Sequence, residues 1–377
     1  MIKTFAINNF KSHKETILNF SNLTVLCGKN ASGKSSVIQA LLLLREAYLN
    51  KSQFDYLDLK TDSVAIGTAK DALYQYSLKD EISFKMKTDI QDISFSFEIK
   101  DLTKTLMNKL EHIFDIEKLT DEALFGKNCQ FISAARLGPQ SSYPKNDVVV
   151  DIHNQISVIE GKAEYFVHFL DRKRNNEVLR ELCLETERVE KNTDLFSQVS
   201  AWEREISPQV NIVIEEAGSL DYELKYEYNT PQGKTDKFKS SNVGFGLTYV
   251  MPILVAVLSS PQDSILFIEN PEAHLHPQGQ AKLTELICLA AQAGIQIIVE
   301  THSDHIINGI LVACKNFEIN KKGINKNNVK LFYLGEKDNE QSSTVEEIEV
   351  LEGGKISNQP EGFFDQAQHD LELIMGF

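Results

Sequence analysis

The sequence has no apolar run long enough to cross a bilayer. Its longest, Val250 to Leu258, is broken by Pro252, and a spanning helix needs about 20 such residues. Nor does it open on the apolar core of a secretory leader, since Met1 to Phe10 alternates like a strand. A soluble, cytoplasmic protein without membrane partners is expected. Cysteine is scarce and scattered. Cys27, Cys129, Cys183, Cys288 and Cys314 include no C-x-x-C pair, which argues against a disulfide framework or a structural zinc site and for reduced thiols. Cys27 reads as a small apolar strand end. Positive charge is in deficit: 39 Lys and Arg against 54 Asp and Glu leave a net charge of −15, which disfavours adhesion to nucleic acid over the whole surface. The basic runs Asp171-Arg172-Lys173-Arg174 and Lys315 to Lys330 read as solvated faces, with DNA contact as the alternative. Internal repeats, low-complexity tracts and sustained heptads are also lacking. With 377 residues, 42% of them hydrophobic, the chain can bury a large core as one big domain or two lobes.

What is present is a phosphate loop. Cys27-Gly28-Lys29-Asn30-Ala31-Ser32-Gly33-Lys34-Ser35-Ser36 fits the pattern G-x-x-x-x-G-K-[ST]. Leu23-Thr24-Val25-Leu26 predicts a strand before it, and Ser36 to Leu42 a helix after it. The glycines let the backbone curl so that its N–H groups face phosphates, and the helix N-terminus adds a positive dipole end. Gly28, Asn30, Gly33, Lys34, Ser35 and Ser36 are therefore the candidate nucleotide-binding residues. Lys34 would reach the β- and γ-phosphates, and Ser35 would ligate Mg²⁺. A Gly/Ser-rich turn before an ordinary helix is the plain alternative, but strand, glycines, Lys-Ser and helix in that order favour a nucleoside triphosphate.

Ile265-Leu266-Phe267-Ile268 and Ile295-Gln296-Ile297-Ile298-Val299 predict parallel strands buried on both faces. The first ends in Glu269, a Walker B arrangement that can hold Mg²⁺ beside Ser35. The second runs into Glu300-Thr301-His302-Ser303. His274 and His276 alternate as ligands on a strand would, and His302 and His305 have helical spacing. Without clustered Cys or spare carboxylates, zinc is the lesser alternative to His302 acting near a γ-phosphate. Elsewhere Ile93 to Ile99 reads as an antiparallel strand, Lys104 to Leu124 as a helix, and Gln130 to Ala134 as a strand. Ile159 to Ile206 is a polar, helix-rich middle. Val210 to Glu215 and Tyr222 to Tyr228 make a hairpin, and Gly246 to Leu258 and Gly279 to Ala293 are helices. Arg136 either faces phosphate or is structural. The phosphate loop and the acidic strands lie over 200 residues apart and are read as one nucleotide site, so the middle is an insertion rather than a separable domain.

This set resembles the ABC-type ATPase heads of the SMC, RecF and OLD (overcoming-lysogenization-defect) group. Ile2 to Ser12 resembles the group's N-terminal strand and basic turn, which puts Lys11 near the nucleotide. Ser241-Asn242-Val243-Gly244-Phe245-Gly246-Leu247 stands where the group has its signature motif, with Asn242, Gly244 and Gly246 as candidate contacts. A turn at a helix N-terminus is also an anion site in its own right, and a plain N-cap is the alternative. Asn270-Pro271-Glu272-Ala273-His274-Leu275-His276-Pro277 is similar to the E-P-E-x-H-L-H-P element, which includes the D-loop. His302 matches the switch histidine, and Gln140 is the candidate Q-loop glutamine. Phe131 to Pro139 and Gly362-Phe363-Phe364-Asp365-Gln366 resemble a bacterial subgroup with an uncharacterised C-terminal segment.

The resemblance spans nearly the whole chain. It implies an α/β fold: an ABC-type P-loop NTPase head with a parallel-sheet core, an antiparallel β subdomain and a helical insertion lobe. The expected layout is a single head over 1–377, with a core of 1–140 and 207–335, an insertion of 141–206 and a C-terminal segment of 336–377. It further implies ATP and Mg²⁺ as ligands, and a homodimer or higher oligomer sandwiching two ATP. In that assembly the signature of one subunit grips the γ-phosphate bound by the other. Glu269, Glu272, His302 and Asn270 form the expected catalytic set. One position departs from the group, which carries a second acid where this chain has Asn270. An amide orients water but cannot accept its proton, so Glu272 or Glu269 must cover that role, with slow turnover the consequence.

The load is less legible than the engine. The short middle without heptads or C-x-x-C excludes SMC-type arms. The 75 residues after His302 include Asp338, Glu340, Glu346, Glu347 and Glu349, which read as a solvated acidic hairpin rather than an intrinsic nuclease. Two classes remain: a sensor or regulatory subunit of a bacterial anti-phage defence system with a separate effector such as a nuclease, and a RecF-like ATP-gated clamp on DNA. A transport ATPase fits the motif forms poorly.

Overall fold

The computed structural model describes the chain except residues 51–53, 185–191, 338–339, 361, 364–365 and 376–377. The expectations for Asp338, Phe364 and Asp365 therefore lie outside the described residues. Two compact units form: a terminal unit built from both chain ends (2–61, 66–116 and 299–377) and a middle unit (62–65 and 117–298, with Met1).

In the terminal unit, the alternation at the N-terminus produces β1 (Ile2–Phe10), which buries Ile2, Phe5, Ile7 and Phe10. It pairs antiparallel with β2 (His13–Asn19) and β5 (Glu81–Thr88). β6 (Asp92–Glu98), β7 (Leu106–Ile113) and β4 (Tyr56–Asp58) complete a six-stranded sheet in the order β2-β1-β5-β6-β7-β4. A single capped turn, α2 (Ala69–Ala72), precedes β5. A second layer centres on β3 (Leu23–Gly28), buried throughout until Gly28, which pairs in parallel with β16 (Val329–Lys337) from Leu23↔Val329 to Gly28↔Leu334. β17 (Ser342–Ile348) returns antiparallel to β16, so the expected acidic segment is a hairpin. The helices of this unit are α1 (Lys34–Leu49), α8 (Asp304–Asn320) and α9 (Gln366–Met375), and a short ribbon of β18 (Val350–Leu351) and β19 (Lys355–Ile356) lies between the last two.

The helix expected over Lys104 to Leu124 is not there. Its first half is strand β7, paired with both β6 and β4. Leu106, Leu110 and Ile113 have the i, i+4, i+7 spacing of a helix face, yet they are 45%, 51% and 60% exposed while Met107 is buried. The apolar spacing was surface decoration, and cross-strand pairing decided the conformation. Only short turns form afterwards, α3 (Ile116–Leu119) and a 3-10 turn at Ala123–Phe125.

In the middle unit, β8 (Cys129–Ile132) pairs in parallel with β14 (Ile265–Glu269), both predicted as strands. Gln296 at the start of β15 (Gln296–Glu300) donates its N–H to the Ser264 carbonyl just before β14. The expected hairpin is β10 (Val210–Ala217) with β11 (Asp221–Thr230). β11 also pairs with β9 (Tyr143–Pro144), β12 (Gly233–Lys234) and β13 (Phe238–Lys239). The helices are α4 (Phe166–Arg172), α5 (Leu195–Ile206), α6 (Phe245–Ser259) and α7 (Pro277–Gln292). Every residue of α6 from Leu247 to Leu258 is buried, as a helix apolar on nearly every side requires, and Thr248 Oγ1 meets Tyr226 Oη at 3.1 Å. Trp202, the single tryptophan, is buried in α5 and donates Nε1–H to the Leu182 carbonyl. No described helix is long and apolar enough to cross a membrane.

Candidate functional site

In the terminal unit, β3 delivers the chain to Gly28 (φ 134°), and the loop closes at Gly33 (φ 96°), the N-cap of α1. Both values favour glycine. Lys34 is 3% exposed and folds its ammonium back onto the loop, donating to the carbonyls of Gly28 (3.2 Å) and Lys29 (2.6 Å). Burial lowers its pKa, and Glu300 opposes that shift. Ser35 Oγ donates to Glu300 Oε1 at 2.9 Å. Glu300 is brought there by β15, after which the Thr301 N–H donates to the Leu26 carbonyl of β3 (3.1 Å). His302 follows and is exposed, while Ser303 caps α8 by accepting from the N–H groups of His305 and Ile306. The Ser36 N–H donates to the Gly33 carbonyl at 3.0 Å. Lys11 has φ 53° and donates Nζ to Gln39 Oε1 on α1 (2.8 Å). Ser32 Oγ is buried with no hydrogen-bond partner among the described residues. Orphaned hydroxyl, loop-directed ammonium and helix N-terminus together suit an anionic ligand such as a triphosphate. The hydroxyl–carboxylate pair suits a hard divalent cation.

Two residues with no motif signal hold the loop. His13, fully buried, donates or accepts at two points: Nε2 lies 3.0 Å from the Gly33 carbonyl and Nδ1 2.9 Å from Thr16 Oγ1. The carbonyl requires the Nε2–H tautomer, so Thr16 donates to Nδ1. Ser343 on β17 donates Oγ to the Ser32 carbonyl at 2.8 Å. Sequence reasoning noticed Glu300 as a strand-end acid but did not give it a role. Its partnership with Ser35 joins positions 265 residues apart, which spacing in the sequence does not announce.

In the middle unit, β14 ends at Glu269, whose Oε2 accepts the Ala134 N–H at 3.0 Å. Burial raises its pKa, against that hydrogen bond and the nearby Arg136 charge. Arg136 is structural. It is 3% exposed, and its guanidinium donates to the carbonyls of Tyr249 (2.9 Å), Ser133 (3.1 Å), Glu269 (2.8 Å) and Asn270 (2.9 Å) while lying 4.0 Å above the Tyr249 ring. Burial pushes its pKa down to about 10, with Tyr249, Glu272 and Glu269 opposing. One side chain thus fixes the end of β14 to α6. Asn270 has φ 44°, and its Oδ1 is buried with no partner among the described residues. Glu272 sits half-buried in the turn that follows.

The signature turn is exposed at Asn242 and Gly244, ahead of α6. Gly246 has a packing reason to be glycine, since a Cβ there would lie 2.4 Å from the His274 carbonyl, whereas a Cβ on Gly244 would meet nothing within 4 Å. His274 packs at a tilt against Phe245 (4.5 Å between centroids) and edge-on against Tyr249 (4.9 Å). His276 is the N-cap of α7, accepting from the Gln278 N–H. The alternating pair therefore has two separate structural tasks. Gln140 is exposed, its N–H donating to Tyr143 Oη and its carbonyl accepting from Ser240 Oγ.

Residues 23–308 match a family model described as "AAA domain, putative AbiEii toxin, Type IV TA system". Residues 324–373 match one described as a protein of unknown function, DUF3696. No curated protein matches. Among solved structures, the chain is similar to an Smc head bound to the C-winged helix domain of ScpA, at 14% identity and TM-score 0.52, over 93% of this chain and 98% of the other. It is also similar to an SMC head domain from Thermotoga maritima (13%, TM-score 0.44, 93% and 99% covered). A third is an Smc head with an extended coiled coil bound to the C-terminal domain of ScpA from Pyrococcus furiosus (13%, TM-score 0.49, 99% of both chains). The first likeness establishes the fold: the mixed α/β fold of an Smc head, with parallel and antiparallel sheets.

Proposed function

The chain belongs to the AAA-domain family of AbiEii type, an ATPase of the ABC/AAA kind, and from that premise we propose that it binds ATP with Mg²⁺, hydrolyses it slowly, and serves as the sensor or regulatory subunit of a bacterial defence system whose effector is a separate protein such as a nuclease. The observation that carries the nucleotide part is the bond from Ser35 Oγ to Glu300 beside a lysine folded onto its own loop. The defence part is supported by the toxin–antitoxin description of the family.

Lys34 trades its two loop carbonyls for β- and γ-phosphate oxygens, and Ser32 Oγ gains the partner it otherwise lacks. Ser35 and Glu269 would hold the cation, with Ser35 Oγ released from its bond to Glu300. When bound, Mg²⁺ supplies charge neutralisation at the β- and γ-oxygens. Glu300 is then available to orient water and take its proton, a task closed to the amide of Asn270. Glu272 and His302 complete the catalytic set, and Lys11, Gln140 and the signature residues Asn242, Gly244 and Gly246 contact nucleotide. The signature turn, open around Gly244, engages a second copy of the chain, so that two ATP hold a homodimer.

The test is steady-state hydrolysis and native mass spectrometry of the protein purified with its genomic neighbours. Lys34→Ala should abolish ATP binding. Glu300→Gln should bind ATP but turn over about 100-fold more slowly, and accumulate an ATP-bound dimer. Wild-type turnover in Glu300→Gln removes Glu300 from the mechanism. A co-purifying effector supports the regulatory role. A bare dimer that retains only duplex DNA, released steeply by salt, replaces it with a DNA clamp.

A further inference from the structure

We propose that the C-terminal segment, the part matching the family of unknown function, is a working part of the nucleotide site: it grips the phosphate loop from outside and sets its affinity for the triphosphate, with Ser343 as the principal positioning residue. This rests on the reading of Gly28 to Ser35 as a nucleotide-binding loop.

Three contacts made by this segment fall on three successive parts of the loop. At its start, Leu334 of β16 lies against Gly28, where a Cβ would sit 2.0 Å from the Leu334 carbonyl oxygen. The first glycine of the motif is therefore required by the C-terminal strand as well as by any phosphate. At its far end, Ser343 donates Oγ to the Ser32 carbonyl (2.8 Å), lies 2.7 Å from Ser12 Oγ, and donates its N–H to the Ser12 carbonyl (2.7 Å). A Cβ on Gly33 would lie 2.4 Å from Ser343 Oγ. Between them, a Cβ on Gly362 would lie 3.2 Å from Lys29 Cε and 2.9 Å from Tyr333 Oη. Phe363, 3% exposed, anchors this turn edge-on to Tyr333 at 6.0 Å. The Phe363 N–H closes the turn on the Pro360 carbonyl (2.9 Å), and Gln359 Nε2 donates to the Phe363 carbonyl (3.1 Å).

The geometry of the peptide group turns this grip into function. In a planar trans peptide the C=O and the following N–H point in opposite directions. Holding the Ser32 carbonyl outward on Ser343 aims the Gly33 N–H away from Ser343, and holding the Gly33 carbonyl on His13 does the same for the Lys34 N–H. Two consecutive donors are thus fixed before any ligand arrives, so the ordering cost is not charged against binding.

The experiment uses the full chain and ATP itself. Ser343→Ala removes the hydroxyl without adding bulk, and Phe363→Ala loosens the turn at Gly362 with no change in the loop. Each should raise the Kd and KM for ATP about fivefold, the scale of one hydrogen bond, with kcat within about twofold, and should speed hydrogen exchange of amides 28–36 in the nucleotide-free protein. Unchanged Kd and loop exchange in both variants overturn the proposal, as does a lowered melting temperature with KM unmoved. A wild-type chain that binds no ATP overturns the nucleotide reading itself, an outcome distinct from failure of the variants alone.

Discussion

His13 has its pKa pushed down to about 4 by burial, against the hydrogen bond to Gly33 and with Lys11 adding to the fall. The folded state thus keeps the ring neutral, while the unfolded chain protonates near 6.5. Its contribution is fully present above pH 6.5 and is lost as pH falls toward 4, amounting to about 3 kcal/mol. Urea denaturation followed by circular dichroism should show this loss between pH 6.5 and 4 in the wild type, and a flatter profile in His13→Gln. Parallel profiles would show that His13 does not titrate as described. Nothing in the sequence singles out His13, because its importance comes from a contact with Gly33 across a turn. Arg136 shows the opposite case. The residue was conspicuous in Phe131 to Pro139, but only the four carbonyls around its guanidinium decide that it is a brace and not a phosphate ligand.

The helix α5 carries a buried contradiction. Glu203 is fully buried, and neither carboxylate oxygen has a hydrogen-bond partner among the described residues. Burial raises its pKa well above the ordinary value, so the group folds in as a neutral acid. A raised folded-state pKa means that its contribution is intact below the unfolded value near 4.5 and is lost as pH rises above it toward the folded-state value. Glu203→Met should therefore stabilise the chain at pH 8 by at least about 1 kcal/mol, with the gain shrinking toward pH 5. Trp202 fluorescence in urea reads it directly, and a destabilised variant at pH 8 would contradict the assignment. Such elements were legible where pattern and burial agree: the largely apolar runs of β3, β14, β15 and α6 stood out in the sequence and are buried. β7 was not, because Leu106, Leu110 and Ile113 face outward and its identity is set by partners some residues away in β6 and β4.

The two units differ in how the chain builds them. The middle unit is almost one continuous stretch, 117–298, whereas the terminal unit joins 2–61 and 66–116 to 299–377. Long-range closure slows folding, so on dilution from urea the Trp202 signal of the middle unit should recover before ATP binding does. Simultaneous recovery would show that the units fold as one. The motif residues of the loop were legible in sequence, but those that shape it, His13 near one end of the chain and Ser343 near the other, announce nothing. Cys27 donates its Sγ–H to the carbonyl of Phe332, 305 positions later. During translation, then, the phosphate loop leaves the ribosome without the strand it lies against, and at about 5–20 residues per second it waits roughly 15–60 s for β16. The apolar β3 spends that interval without its C-terminal neighbour, so the loop takes its full shape only once β16 has been made.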